Sequence, residues 1–203
     1  ATTMIISIPS VVIMTALVFS LHGGAIRFTT PMLFALAFIP MFAIGGLTGL
    51  PLGLATSDVA LHDTTYVVGH FHYVVAPGTI FALFAGIYHW YPRVTGRLMN
   101  DALGRVHFVG SFIAMNLIFF PMFIQGLAGV NRRLYDGGLQ FAHAQPLAGW
   151  NVEMSYAAWA LALFQLPFNV NVLASAWWGR VAPSNPWTAT TLEWSARPDE
   201  VMR

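Results

Sequence analysis

The sequence has no cysteine and no lysine, and only 8% of its 203 residues are charged. Without cysteine there is neither a disulfide framework nor a thiolate metal site. All nine basic residues are arginines, and a formal net charge of +1 offers no basic surface of the kind that binds nucleic acid. Soluble domains carry about 25% charged and about 45–50% apolar residues. Here the apolar share is 57%, a composition that belongs in a bilayer. No internal repeat and no low-complexity tract interrupts it. The chain opens Ala1-Thr2-Thr3 without an initiating methionine, is apolar from its first turn, and lacks the basic n-region of a signal peptide. It is therefore expected to enter in mid-protein, as part of a longer subunit.

A transmembrane helix needs about 20 predominantly apolar residues. Five stretches qualify: roughly Thr3–Leu21, Pro31–Leu54, Tyr66–Tyr91, Val106–Leu127 and Ser155–Ala182. Breakers and polar residues mark the joints, at His22-Gly23-Gly24, at Ser57 through Asp63, at Pro92 through Arg105 and at Gly129 through Asn151. Internal prolines (Pro9, Pro40, Pro77, Pro121, Pro167) would break soluble helices, but neighbours in a bundle satisfy the freed carbonyls. With five spans, alternate loops share a side. One side collects Arg27, Arg93, Arg97, Arg105 and Arg180 with the tail residues Arg197 and Arg203, whereas the other has Arg132 and Arg133. By the positive-inside rule the first side and the C-terminus are cytoplasmic, and His62, Asp63, Arg132 and Arg133 face outward.

The informative stretch is Leu61-His62-Asp63-Thr64-Thr65-Tyr66-Val67-Val68-Gly69-His70-Phe71-His72-Tyr73-Val74-Val75-Ala76-Pro77. It sets ionisable and metal-capable side chains at the head of an apolar segment, where such groups are costly enough to be read as functional. A helix turns by about 100° per residue, so His70 and His72 project from nearly opposite faces. They cannot grip one ion together, but each can ligate a separate planar metal group, imidazole being a good ligand for iron and copper. His89 and His107, near helix ends, read as hydrogen-bonded structural histidines. His62 and Asp63 read either as a metal site or as a solvated cap, an aspartate near a helix start being favoured by the dipole. Pro77-Gly78 reads as a kink that lets the backbone approach a neighbouring planar group, and Tyr88, Trp90, Tyr91, Trp177 and Trp178 as an interfacial belt.

This run resembles the signature segment of subunit I of the haem-copper oxidase superfamily. The resemblance extends to Met4-Ile5-Ile6-Ser7-Ile8-Pro9, His22-Gly23-Gly24, Gly45-Gly46-Leu47-Thr48-Gly49, Asn116 to Pro121, Arg132-Arg133 and Thr190-Thr191-Leu192-Glu193-Trp194. It implies an all-α polytopic transmembrane helix bundle, with residues 1–203 supplying the last five core helices of a larger subunit. In the family the first histidine of the triplet is the proximal ligand of a high-spin haem and the second binds a low-spin haem, which assigns His70 and His72. The haems would be of the haem A type. His62 and Asp63 would hold magnesium or manganese together with a carboxylate of subunit II, and Arg132 and Arg133 would bond haem propionates. Asp58 reads equally as a neighbour of a high-spin haem propionate or as an ordinary loop carboxylate. The copper ligands would lie outside this chain, in the N-terminal half of subunit I.

The implied activity is an oxidoreductase that carries electrons from cytochrome c to dioxygen, with proton translocation, in a bacterial inner membrane. One departure opens alternatives. The family's common pattern has a lysine four residues after the proline of Ile8-Pro9-Ser10, and this chain has Ile13 there. A nitric oxide reductase on the same scaffold is therefore also considered, and the expectation that the preceding core helices lie outside this chain adds a non-catalytic haem-anchoring or assembly subunit. Thr15 is the one polar side chain between Val11 and Val18, so a dry path is expected there.

Overall fold

The computed structural model describes residues 2–195, so Arg197, Arg203 and the C-terminus lie outside the described residues. Its elements are α1 (Thr2–Ile5), α2 (Ser7–Leu21), α3 (Thr30–Gly53), α4 (Ala55–Leu61), α5 (Thr65–Val75), α6 (Phe81–Thr95), α7 (Asp101–Leu127), α8 (Gly149–Trp178) and α9 (Leu192–Ser195). Among the described residues there is no strand, and the only bridges are the isolated pairs Thr64–Asn131 and Arg97–Val181. The protein is all-α, as expected.

Among the described residues four segments are long and apolar enough to cross a membrane: Thr30–Gly53, Thr65–Thr95, Asp101–Leu127 and Gln145–Trp178. The expected first span is split into α1 and α2. α2 has 15 residues, about 22 Å at 1.5 Å per residue, against a hydrocarbon core of about 30 Å. Pro9 accounts for the split: it has no N–H to offer the Ile5 carbonyl, and its ring crowds that oxygen. Ile6, at the joint, keeps right-handed helical dihedrals.

The third expected span runs unbroken from Thr65 to Thr95, with a π-helical turn at Ala76–Ile80 between α5 and α6. Pro77 removes one helical hydrogen bond, and the wider turn absorbs the loss. At Gly78 the backbone also comes close to another helix: a Cβ there would lie 2.9 Å from the Phe42 ring of α3.

α5 lies between α3 and α7. A Cβ on Gly45 of α3 would come within 2.9 Å of the Val74 nitrogen, and one on Gly126 of α7 within 2.1 Å of the Tyr66 nitrogen. Bilayer helices gain little from the hydrophobic effect between them, so such close backbone contact is what holds them. Two buried clusters form the core, one with Phe34, Phe81, Tyr88 and Met115 and one with Met41, Tyr66, Tyr73 and Phe123, and Phe112 and Phe119 pack against both. Polar cross-links are satisfied: Tyr73 donates to Asn116 (2.8 Å), and fully buried His107 bonds the Tyr88 hydroxyl at Nδ1 and Gln165 at Nε2. His107 is thus a packed structural histidine. His89 accepts from the Trp194 indole (3.1 Å) and stacks on Trp187, fastening the C-terminal segment to α6.

The arginine-rich loops meet at one end. Leu98 donates to the Arg180 carbonyl (2.8 Å), Arg97 to the Gly179 carbonyl (2.7 Å), and Arg27 to Thr188. At the opposite end Thr65 donates to the Val130 carbonyl (2.9 Å), joining the α4–α5 and α7–α8 connections. The charge asymmetry read from the sequence is therefore an asymmetry between the two ends of the bundle.

Placing alanine at Gly126 forces a methyl onto the α5 backbone, and overpacking of this kind costs about 1–3 kcal/mol. Gly126→Ala should lower the thermal midpoint of the detergent-solubilised protein clearly. Gly149→Ala, where a Cβ meets nothing within 4 Å, should not. Equal midpoints for the two variants would contradict the close α5–α7 contact.

Candidate metal and cofactor site

α5 begins where Thr64 caps it. The Thr64 hydroxyl accepts from the Tyr66 nitrogen (3.3 Å) and donates to the Leu61 carbonyl (2.7 Å), satisfying a donor at the helix start. Its two histidines, both half-buried, face different neighbours. His70 points to α3: its Nδ1 lies 2.9 Å from the Gly45 carbonyl and 3.3 Å from the Thr48 hydroxyl, and a Cβ on Gly49 would lie 2.7 Å from its ring. His72 is on the α7 side, stacked on Phe119 (centroids 4.1 Å apart, 12° between planes) with Phe71 on its flank. The i, i+2 spacing thus separates the two imidazoles as expected.

Both rings are held by the same atom. The His72 Nδ1 lies 2.7 Å from the Val68 carbonyl, one turn back. A carbonyl oxygen cannot donate, so each Nδ1 is the donor, and in the neutral ring that ligates a metal Nε2 keeps the lone pair. Neither Nε2 has a hydrogen-bond partner among the described residues. A neutral imidazole fixed through Nδ1 to a carbonyl, with Nε2 open, is the arrangement of a metal-ligating histidine. The donor set therefore fits two separate single-histidine sites. It is unsuited to one multi-histidine ion, and no group of three or more His, Cys, Asp or Glu side chains gathers among the described residues.

At the end opposite the arginine-rich loops, His62 and Asp63 are exposed. The His62 Nε2 is 3.5 Å from Asp63 Oδ2, and its Nδ1 is 3.8 Å from Asp58 Oδ2, beyond hydrogen-bond reach. Two neighbouring ligands of an octahedral cation sit about 3 Å apart when each bond is about 2.1 Å, so the His62 and Asp63 edge suits one small divalent ion with most of its shell left to other groups. Asp58 does not join that edge; it lies in α4, a little over one-third exposed at most.

The expected arginine pair divides. Arg132 donates through Nε (2.8 Å) and Nη2 to Asp63 Oδ1, and its backbone nitrogen donates to the Asp63 carbonyl (2.8 Å). Arg133 is exposed and makes no such bond among the described residues. Asp63 (φ 58°) and Arg133 (φ 64°) are both left-handed. Aspartate tolerates this region, whereas for arginine it costs about 1–3 kcal/mol. The hydrogen bond from Arg132 holds the Asp63 carboxyl below the usual carboxylate range; partial desolvation opposes this, and the charges of Arg132, His62 and Arg133 reinforce it.

Sequence reasoning missed the partners that orient the ligands: the Gly45 and Val68 carbonyls, Thr48 and Phe119. Backbone carbonyls carry no sequence signal. The run Gly45–Gly49 was the one available hint, because glycine lets a bulky neighbour approach. The Asp63–Arg132 pair was also unforeseen, since its members are far apart in the chain.

The sequence matches the family described as "Cytochrome C and Quinol oxidase polypeptide I" over residues 1–189. The chain belongs to that family. It is 47% identical over 202 residues to cytochrome c oxidase subunit 1 of Synechocystis sp., covering 100% of this chain and 36% of the relative. It is 46% identical over 194 residues to the alternative cytochrome c oxidase subunit 1 of Bradyrhizobium diazoefficiens, covering 95% of this chain and 33% of the relative. The chain thus spans about a third of the length of these relatives. A solved haem-copper terminal oxidase dimer has the same fold over 77% of this chain and 28% of its own, with a TM-score of 0.65 at 21% identity. None of these relatives bears the name of a nitric oxide reductase or of a haem-anchoring subunit, so neither alternative gains support.

Because Asp63 is stabilised in its ionised form, the pair's contribution is complete above the ordinary carboxylate pKa and is lost as pH falls through the lowered folded value. The thermal-midpoint difference between the unmodified protein and Asp63→Asn should hold steady from neutral to mildly acidic pH. It should shrink only below the usual carboxylate range, and it should be small because the pair is exposed. A difference that is identical at every pH would remove the ion pair as its cause.

Proposed function

We propose that this chain carries the haem-ligating helix of a respiratory terminal oxidase, an oxidoreductase that passes electrons from cytochrome c to dioxygen and yields water. The observation that carries the reading is the pair of Nδ1-anchored imidazoles presented to opposite sides of α5. In this reading His72 ligates a low-spin haem and His70 a high-spin haem, both of the haem A type. Bound there, the haems supply electron transfer and oxygen chemistry, with copper held by the N-terminal half of subunit I.

The chain's own residues set position and field. One rigid helix fixes both ligands, so the relative placement of two redox groups is decided by two residues of sequence. The Gly45 and Val68 carbonyls lock the tautomers and raise the basicity of each Nε2. Phe71 and Phe119 cover His72 and keep water from its ring. At the outer end, Arg132 occupies one Asp63 oxygen and leaves Oδ2 toward His62, the edge assigned to magnesium or manganese with a carboxylate of subunit II. Arg133 provides the free guanidinium for a haem propionate, and Arg132 contributes its charge from beside it. Asp58 is assigned to the neighbourhood of the high-spin haem propionate, a role supported by the resemblance alone.

Membrane lipid surrounds the helices, and the arginine-rich end is placed in the cytoplasm of a bacterium by the positive-inside rule, which puts the C-terminus inside. For proton translocation α2 offers no route. Ser10 donates to the Ile6 carbonyl of its own helix (2.9 Å), and Ile13 has no group to relay a proton. Protons are therefore routed through other parts of the subunit.

His72→Ala in the complete enzyme should abolish the low-spin haem spectrum and leave about one haem of two, with the high-spin spectrum retained in a Gly45-anchored His70 site. Retention of both spectra would sink the ligand assignment. Ser10→Ala should leave turnover and proton uptake unchanged, and a tenfold fall in both would place α2 in a proton path.

A further inference from the structure

A cavity of about 780 Å³ opens at the arginine-rich end, where the ends of α3, α6, α7 and α8 converge. Its walls include Pro31, Leu98, Asn171, Trp178, Arg180 and Trp187. The family assignment and the proposed electron path make no use of it.

Its depth follows from α8. Tyr156 and Trp159 are exposed near one end of that helix and Trp177 and Trp178 at the other, with Leu163, Leu166, Val170 and Leu173 exposed between. Trp159 and Trp177 are about 27 Å apart along the axis at 1.5 Å per residue, close to the hydrocarbon thickness of about 30 Å. Two aromatic belts at that spacing put Trp177 and Trp178 at headgroup level. The cavity mouth is therefore at the depth of lipid phosphates.

Charge supplies the second observation. The other arginines described at this end are engaged: Arg27 with Thr188, Arg93 with the Glu193 carbonyl, Arg97 with the Gly179 carbonyl and Arg105 with Asp101. Arg180 is exposed on the cavity wall, and its guanidinium has no partner among the described residues. Asp101 also lines the cavity, but Thr30 bonds its Oδ1 and Arg105 its Oδ2, so its charge is already answered. An unpaired cation beside walls that mix apolar and indole surface (Pro31, Leu98, Trp178, Trp187) with polar groups (Thr29, Asn100, Ser175) fits an amphiphile with a phosphate group.

We propose that this cavity seats the phosphodiester headgroup of a membrane phospholipid from the adjacent leaflet, with Arg180 bonding the phosphate. Guanidinium matches phosphate oxygens with paired donors, and basic pockets between helices at a membrane face are suited to lipid headgroups. A soluble phosphate would leave the apolar walls facing water, whereas a lipid covers them with its glycerol and first methylenes.

The test uses the intact membrane complex containing this chain, reconstituted in phosphatidylcholine vesicles doped with phosphatidylglycerol that carries a photoreactive headgroup. Irradiation should label peptides holding residues 98–103 and 174–187. Arg180→Gln should reduce labelling about tenfold, as expected for loss of one charge-assisted contact, whereas Arg180→Lys, which keeps the charge and loses the paired donors, should fall between that variant and the unmodified chain. Ala174→Phe, which fills the cavity and leaves Arg180 in place, should also block labelling and guards against a folding defect in the first variant. Excess inorganic phosphate should not compete. Undiminished labelling in both Arg180→Gln and Ala174→Phe would overturn the proposal. Loss of labelling on adding inorganic phosphate would reassign the site to a soluble anion, and absence of label from these peptides in the unmodified complex would overturn the proposal as well.

Discussion

Close approach of backbones around α5 is the constraint on which the rest of this structure depends. α5 is clamped between α3 and α7 at positions where a single methyl would collide, Gly45 on one side and Gly126 on the other. In lipid, apolar side chains gain little by leaving the solvent, so helices hold one another by intimate contact and internal hydrogen bonds. The Tyr66 hydroxyl bonding the Thr48 carbonyl (3.1 Å) and Tyr73 bonding Asn116 belong to the same clamp. Relaxing either contact would turn or shift α5, and with it both imidazoles.

That clamp is also what makes ligand geometry. The Gly45 carbonyl fixing His70 belongs to the residue whose missing side chain lets α3 approach, so packing and ligand orientation are one arrangement. His72 is oriented differently, by its own helix through the Val68 carbonyl and by the Phe119 ring of α7. The two ligand positions thus depend on different neighbours, and changes in α3 and in α7 should reach them separately.

The loops after α4 and α7 carry a second, smaller constraint. Two left-handed residues, Asp63 and Arg133, are tolerated because the Asp63–Arg132 pair and the backbone bonds beside it tie the loops after α4 and α7 together. The pair also divides the labour of an arginine dipeptide that looks uniform in sequence: one guanidinium is engaged by a carboxylate, and the other stays open.

The membrane class, the helical architecture, the separation of His70 from His72 and the segregation of arginine to one end were legible in the sequence. Each depends on composition, on the helical period or on alternation of spans, which are properties of residues near one another in the chain. The interruption of the first span at Ile6 was not legible, because Pro9's effect on the Ile5 carbonyl depends on local backbone geometry. Tertiary structure alone decided that Gly45 and Val68 anchor the two rings, that Arg132 binds Asp63, that Gly78 meets Phe42, and that a cavity forms beside Arg180. All but the Val68 bond join groups distant in the chain, many of them through backbone atoms common to every residue, so no pattern of side chains announces them.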